Sequence, residues 1–409
     1  MAFLTTFTFR ALVRASGGPR YAVALAVDAL GTGLLRPFLL LYGVLVLDLP
    51  ASATGFAMTA GIVMGLLCVP AVGWWLDRGA RSAVVAASML VRVVGVVVLL
   101  ATPTGNSWLF AAAALLLGIG NQAWPAAHAA LVATVAHGRE RDAALAGGRA
   151  LRNAGMGVGA LLAMVCLAGG GTALRVLAAV TGVACLVAAV LTWSVRLRVR
   201  PATPSAEGGD EGPAPRLRGL LAANVIYAFC LQVPEIALPL VLVTRLDASP
   251  MWSAAIFVAN TVLVVALQVP VTVALSRYSR RSVLAFGGVV LTVSYLGFLA
   301  ATSLGPGWGP PAVALVSVLC TLGEIVYAGT ATALVTVLAP ARALGRTLAR
   351  FELSTGFGLA VSPMVFTALA PHGSAALWGG LAGATLLASG TVAAERDRAT
   401  PKAEAPAPR

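Results

Sequence analysis

The sequence predicts an all-α polytopic membrane protein with twelve transmembrane helices, arranged as two six-helix, pseudo-symmetric bundles. Three observations lead to this prediction: an apolar composition, basic residues in alternate loops, and a loop motif that recurs 199 positions later. Of the 409 residues, 59% are hydrophobic and 11% are charged. That charged fraction is about half the value typical of soluble domains. Long apolar runs of this kind form helices when they cross a bilayer.

Twelve apolar runs, each of about the 20 residues needed to cross a bilayer, provide the predicted helices. In chain order they cover 21–46, 54–76, 82–101, 108–135, 146–168, 173–195, 218–244, 252–275, 282–302, 311–338, 347–369 and 374–393. Cytoplasmic loops are rich in Arg and Lys, which tests this count. With the N-terminus inside, 24 of the 28 basic residues, including Arg149 and Arg152, are cytoplasmic. We expect a multi-pass protein of the plasma (cell) membrane with both termini cytoplasmic.

A polar stretch at 201–215, rich in Pro, Gly and acidic residues, interrupts the apolar runs. Such a composition predicts a flexible linker. The expected organisation is an N-terminal bundle over 1–195, a cytoplasmic linker over 196–217, a C-terminal bundle over 218–394 and a disordered cytoplasmic tail over 395–409. The net charge of +13 lies in short loops rather than on one soluble face, so we expect no nucleic-acid partner.

The recurring motif lies in two short basic loops. The first copy contains Asp77-Arg78-x-x-Arg81, and Ser276-Arg277-x-x-Arg280 follows 199 positions later. Asp48 and Asp247 repeat at the same offset. A membrane chain whose halves repeat in this way indicates two homologous bundles with a transport site where they meet.

These residues and the twelve spans give the chain a resemblance to the major facilitator superfamily, and to its drug/proton antiporter-like members. The family signature between helices 2 and 3 is similar to Gly73, Asp77, Arg78 and Arg81 here. In the second copy Ser276 replaces the acidic residue. The resemblance implies that these loops form a conformational latch between the halves in the outward-facing state. Its expected members are Gly73, Asp77, Arg78, Arg81, Arg277, Arg280, Arg350 and Glu352; the alternative is that Arg78 and Arg81 only hold the loop inside.

Two other family motifs are incomplete. Proton-coupled members often carry an Arg four residues before the helix 4 glycine, but Leu116 stands four residues before Gly120. Drug antiporters tend to have a Pro after the helix 5 glycines, but Ala160 follows Gly159. We interpret the remaining helix 5 glycines as sites of close helix packing.

Five charged residues lie well inside the predicted spans: Asp28, Arg36, Arg92, Glu235 and Glu324. Such residues are costly in a bilayer and indicate function by default. In the family fold, helices 1, 4, 7 and 10 line the central cavity, and four of the five lie on these helices. The offset of 199 makes Arg36 and Glu235 symmetry mates, so we expect them to pair or to share a substrate during transport. A static ion pair is the alternative.

Asp28 precedes Gly31, Gly33 and Pro37, which is similar to the helix 1 pattern of drug-efflux members. We consider it a candidate proton carrier; it could instead be a polar wall or a partner for Arg92. Glu324 and Tyr327 on helix 10 correspond to Asn121 and Trp124 on helix 4. A polar group beside an aromatic ring suits a cationic substrate, although helix-packing aromatics explain these positions equally well.

We predict a secondary active transporter that works by alternating access, with proton-coupled efflux of a small amphipathic or cationic compound as the first choice. Proton-coupled uptake by symport is the alternative, and a non-transporting membrane sensor or assembly factor is a third reading. No nucleotide-binding loop and no nucleophile–base or metal constellation is recognisable in the sequence, so we expect neither an enzyme nor ATP drive. We expect no cofactor beyond the proton gradient. The expected partners are a small-molecule substrate, protons and the lipid bilayer, with the chain as a monomer.

Overall fold

The computed structural model describes residues 18–79, 81–166, 170–195 and 217–397, and all regular structure within these ranges is helical. Nearly all of the predicted linker and tail lies outside the described residues. The described chain forms twelve long helices, which we number α1 to α12. They are Pro19–Leu45, Ala51–Asp77, Arg81–Ala101, Ser107–Val135, Gly138–Cys166, Gly170–Ser194, Arg218–Leu246, Pro250–Leu275, Arg280–Thr302, Gly305–Leu338, Leu344–Leu369 and Gly380–Asp397.

Eleven helices in the described part of the chain are long and apolar enough to cross a membrane. The remaining helix is α5, which is long enough but carries several charged residues in its N-terminal half. It starts at Gly138, eight residues before the predicted start at 146, so Arg149 and Arg152 lie near the middle of the helix rather than at its cytoplasmic end. The predicted all-α membrane fold is confirmed, and α5 differs from the prediction in where its charges lie.

The two halves repeat each other in local geometry as well as in sequence. Among the described residues, only Asp48 and Asp247 have a positive φ without being glycine, at 53° and 46°. This left-handed conformation is uncommon for residues with a side chain, and Asp tolerates it better than most. The two residues follow α1 and α7 respectively, so residues 199 positions apart occupy equivalent turns in the two halves.

Both α1 and α7 are interrupted at equivalent places. A short 3₁₀ segment, Arg36–Phe38, breaks α1. In α7 a 3₁₀ segment, Ala228–Gln232, leads into a π-helical turn, Val233–Ala237. Arg36 and its symmetry mate Glu235 lie within these interruptions, which are common at functional positions of helices.

The chain divides into two compact units. The first contains the described residues up to 195 together with 261–274 and 335–356, and the second contains 217–260, 275–334 and 357–397. Parts of α8, α10 and α11 therefore belong to the first unit. The bundle boundaries that we drew at the linker stay a prediction.

Within the first unit, α1 packs on α5 and α6, α2 packs on α4, and α3 packs on α4 and α6. In the second unit, α12 packs on α9 and α7. The contact of α1 with α5 depends on glycine, since a methyl group at Gly33 would overlap the backbone of Met156 and one at Gly159 would overlap Leu30. This confirms the interpretation of the helix 5 glycines as close packing positions, and it holds Arg152 of α5 near Asp28 of α1.

Candidate functional site

Asp28 lies on α1 at the centre of a buried charge cluster in the first unit. Its side chain is 1% exposed and forms an ion pair with Arg92 of α3, which is 3% exposed. The second carboxylate oxygen lies 3.7 Å from Nη1 of Arg152 on α5. Of the two readings of Asp28 as a polar wall or a partner for Arg92, the partner is the one found. Buried charges are tolerated when they are paired in this way.

Arg92 connects the ion pair to two neutral polar groups. Its Nη1 donates hydrogen bonds to Oγ1 of Thr32, at 2.9 Å, and to Oδ1 of Asn121, at 3.2 Å. The side chain also lies against Gly120, where a methyl group would overlap it. Helix 4 lacks the family arginine, but an arginine from α3 lies beside the helix 4 glycine. We call Asp28, Thr32, Arg92, Asn121 and Arg152 the Asp28 cluster.

Arg152 also covers the aromatic ring predicted to face a substrate. Its Cζ lies 4.1 Å from the ring centroid of Trp124, which is 5% exposed. On α4, the Trp124 ring stacks on His128 with centroids 4.8 Å apart. His128 Nδ1 and Tyr21 Oη share a hydrogen bond of 2.9 Å. The cation–π partner of Trp124 is therefore the protein's own arginine.

A small cavity adjoins the cluster. Its volume is about 40 Å³, which is room for a few water molecules or a small polar group. Arg36, Arg92, Thr32 and Asn121 supply polar groups to its wall. The rest of the wall consists of the largely apolar side chains Leu35, Leu39, Leu117, Thr181 and Cys185. All nine lining residues belong to the first unit.

The predicted residues of the second unit are arranged differently. Glu324 is partly buried, and its Oε2 accepts a 2.9 Å hydrogen bond from Nδ2 of Asn260 on α8. Tyr327 is 3% exposed and donates a 2.9 Å hydrogen bond to Oδ1 of Asn224 on α7. Its ring packs against Tyr227 at 5.5 Å between centroids. Glu235 is exposed within the π-helical turn of α7. Its pairing with Arg36 stays a prediction.

Asp77, a member of the predicted latch, lies at the C-terminal end of α2 in the first unit. Its Oδ1 accepts a 2.6 Å hydrogen bond from the backbone N–H of Gly345, and its Oδ2 lies 2.7 Å from Nε of Arg346. Both partners lie in the first turn of α11, where free N–H groups favour an anion. We expected Arg350 and Glu352 near Asp77. Arg350 is exposed one turn farther along, and Glu352 lies close enough to Arg149 and Arg152 to interact electrostatically.

Three further latch residues make separate contacts. Gly73 lies so close to Gly345 and Ala349 that a methyl group there would overlap α11. Arg78 stacks over the ring of Trp74 at 3.2 Å. Arg81 donates hydrogen bonds to Thr134 and to the carbonyl of Ala130 near the end of α4. Gly73 and Arg81 therefore join α2 to α11 and α3 to α4, whereas the contact of Arg78 stays at the end of α2.

The second copy of the motif lies between α8 and α9. Arg277 lies over the ring of Tyr278, with Cζ 4.9 Å from its centroid. Arg280 is the first residue of α9. The serine that replaces the acidic residue, Ser276, has no carboxylate with which to repeat the contact of Asp77.

Sequence reasoning missed Arg152, Thr32, Gly345, Arg346 and Asn260. Arg152 was assigned to a cytoplasmic loop because arginine is common there. One signal could have corrected this: residues 138–166 contain no proline, and the glycines near Arg152 continue a helical spacing. The other contacts depend on which helices are neighbours, which one sequence does not specify.

Comparison with known proteins agrees with this architecture. The profile of the family described as Major Facilitator Superfamily matches residues 21–363. Among solved structures, the human organic anion transporter MFSD10 (TETRAN) is 16% identical over 91% of this chain and 98% of its own, with a TM-score of 0.71. A bacterial homologue of the iron transporter ferroportin, in an outward-facing state with soaked iron, is 14% identical over 93% of this chain and 99% of its own, with a TM-score of 0.75.

A third solved structure, the Major Facilitator Superfamily transporter FucP in the outward conformation, is 14% identical over 97% of this chain and 100% of its own, with a TM-score of 0.70. No curated protein sequence matches the chain. At these identities the structures show a shared fold, and the family profile covers most of the chain. The protein therefore belongs to the Major Facilitator Superfamily and is a multi-pass membrane transporter, not an enzyme.

Proposed function

We propose that this transporter is a secondary active carrier that moves a small amphipathic compound by alternating access and couples its movement to protons at Asp28. One observation carries the proposal: the buried Asp28 carboxylate holds Arg92 in an ion pair and lies near Arg152. The charge of Asp28 therefore determines whether Arg92 and Arg152 have a buried anionic partner.

The coupling follows from the cost of buried charge. While Asp28 is ionised, it compensates Arg92 and part of the charge of Arg152. When Asp28 takes up a proton, both guanidinium groups lose that compensation and must find another partner or a different arrangement. A proton can therefore change which conformation the first unit favours, as alternating access requires.

Two directions of transport are compatible with this chemistry. The helix 1 pattern that begins at Asp28 favours proton-coupled efflux of an amphipathic or cationic compound. For a cationic substrate, the second unit offers Glu324, oriented by Asn260. In that case substrate and proton would compete for an acidic group, which gives antiport.

Uptake by proton symport is the second candidate, and the Asp28–Arg92 ion pair favours it. In a symporter of this kind, the carrier binds its substrate while Asp28 is protonated, so the proton and the substrate cross the membrane together. The names of the similar structures do not choose between the candidates, because they include an organic anion transporter, an iron transporter homologue and a peptide transporter.

The test uses the full-length protein in proteoliposomes that contain a pH-sensitive dye. An imposed pH gradient and a panel of amphipathic acids and amines of matched skeleton measure proton movement and substrate movement together. We expect gradient-driven flux that Asp28→Asn abolishes and Asp48→Asn preserves, because Asp48 is exposed and Asn also tolerates its left-handed backbone. Flux that ignores the gradient would reject proton coupling, and no flux of any panel compound would favour the sensor or assembly reading.

A further inference from the structure

The charged side chains at the cavity of the first unit are mostly positive. Arg36 and Arg92 line the cavity, and Asp28 is the carboxylate that pairs with Arg92 and lies near Arg152. Arg152 is close enough to both Arg92 and Arg36 to be repelled by them. Glu352 acts on Arg152 and on a fourth arginine, Arg149, so it does not remove the excess. An excess of positive charge in a region of low dielectric constant favours the binding of an anion.

Arg36 is the arginine most available to a ligand. Within the described part of the first unit, its guanidinium makes neither an ion pair nor a hydrogen bond, and its side chain is exposed in the interruption of α1. It lines the same cavity as Arg92, together with Thr32 and Asn121. A free guanidinium next to a second, already paired guanidinium is an arrangement that can receive an oxyanion.

The chemistry of the cavity restricts the kind of anion. Guanidinium groups bind carboxylates with two parallel hydrogen bonds, which gives both strength and orientation. The hydroxyl of Thr32 and the amide of Asn121 add polar contacts, while Leu35, Leu39 and Leu117 provide an apolar wall. A cavity of about 40 Å³ accommodates a head group rather than a whole substrate.

We infer that the first unit binds the carboxylate of a small amphipathic anion at the cavity lined by Arg36 and Arg92. This inference rests on the proposed transport function and replaces its cationic substrate with an anionic one. Asp28 then acts as the internal anion: it occupies Arg92 and Arg152 in the empty carrier, and its protonation releases them to the substrate. A cationic substrate has less to bind in this unit, since Trp124 is already covered by Arg152.

The experiment measures binding to the full-length protein, purified in a non-ionic detergent, by isothermal titration without any pH gradient. The probes are 4-phenylbutyrate, 4-phenylbutylamine and 4-phenylbutanol, which share a skeleton and differ in charge. We expect the carboxylate to bind at least about tenfold more tightly than the amine or the alcohol. Arg36→Gln should weaken carboxylate binding by about tenfold, and Arg36→Lys by less, because lysine keeps the charge but not the two parallel donors.

The control is Arg218→Gln, which removes an exposed arginine at the start of α7 in the second unit and should leave the affinity unchanged. Tighter binding of the amine, equal affinities for Arg36→Gln and the wild type, or no saturable binding of the carboxylate would each overturn the inference. The proposed function fails separately. Carboxylate binding without gradient-driven flux rejects proton coupling alone, and gradient-driven flux of the amine without carboxylate binding rejects the anion site alone.

The stability of the empty protein provides a second measurement that does not depend on the probe. If Arg36 is an uncompensated cation, its replacement by glutamine relieves repulsion, so Arg36→Gln should melt at the same or a higher temperature than Arg36→Lys. A melting temperature for Arg36→Gln clearly below that of Arg36→Lys would mean that Arg36 is part of a structural ion pair, and would overturn the inference.

Discussion

The carboxylate of Asp77 accepts a 2.6 Å hydrogen bond from the backbone N–H of Gly345, and this contact joins the end of α2 to the first turn of α11. The same carboxylate lies 2.7 Å from Nε of Arg346. The two contacts differ in environment, since the Asp77 side chain is 9% exposed and that of Arg346 is 54% exposed. The backbone contact should therefore contribute more to the stability of this junction than the ion pair does.

Asp77→Asn should lower the transport rate severalfold without blocking membrane insertion. Asparagine keeps an acceptor for Gly345 but removes the charge that strengthens the bond and favours the end of the helix. Arg346→Gln should have less effect, because exposed ion pairs contribute about 0–1 kcal/mol. Transport in proteoliposomes, with the amount of inserted protein measured in parallel, checks both variants. Full activity of Asp77→Asn would reject a role for this contact as a latch.

Gly73→Ala should also impair transport, for a steric reason. The added methyl group would overlap Ala349 and the backbone of α11, so the two helices could not approach as closely. Gly55→Ala is the matched variant on the same helix, because a methyl group at Gly55 has no neighbour within 4 Å. We expect Gly73→Ala to reduce the melting temperature and the flux while Gly55→Ala changes neither. Equal behaviour of the two variants would contradict the close packing of α2 and α11.

The fold could be predicted from the sequence because it depends on properties that a single chain displays. Apolar runs of bilayer length, arginines in alternate loops and the 199-residue offset are all visible in order along the chain, and Asp48 and Asp247 carry that offset into the same left-handed turn. The contacts within the site were harder to predict than the fold. A pairing of Asp28 with Arg92 was one of the alternatives that the sequence left open. Arg152 was counted among the cytoplasmic arginines because it falls near the start of the predicted span at 146, whereas the helix begins eight residues earlier and Arg152 lies near its middle.

The contact partners of Asp77 were also difficult to predict from the sequence. Its sequence motif points to α11, but which residue of that helix it meets depends on where α11 begins. The helix starts at Leu344, before the predicted 347, so its first turn presents Gly345 and Arg346 rather than Arg350. Small errors in a helix boundary thus change the identity of a contact without changing the fold.

Tyr327→Phe should lower stability more than it lowers transport. The tyrosine hydroxyl donates a hydrogen bond to Asn224, and both side chains are buried. Its loss should reduce the free energy of unfolding by about 1–2 kcal/mol. Tyr278→Phe is a suitable comparison because that side chain is 53% exposed. Thermal unfolding checks the expectation, and the Michaelis constant for the transported compound checks the alternative. An unchanged melting temperature with a raised Michaelis constant would instead make Tyr327 a substrate contact.

Asp28→Asn should destabilise the protein more than Arg92→Gln does. Without the Asp28 carboxylate, Arg92 and Arg152 both remain buried without their shared partner, and leaving a buried charge unpaired costs about 3–5 kcal/mol. Without Arg92, by contrast, the carboxylate still has Arg152 at 3.7 Å. The double variant Asp28→Asn/Arg92→Gln should recover much of the stability, because it removes one positive and one negative charge together. It should not recover proton-driven flux, because the titrating group is gone.

Thermal unfolding of the three variants measures their stability, and flux in proteoliposomes measures their proton coupling. Equal destabilisation by the two single variants would mean that Arg152 does not share the carboxylate, and flux driven by the gradient in the double variant would remove Asp28 from the coupling mechanism.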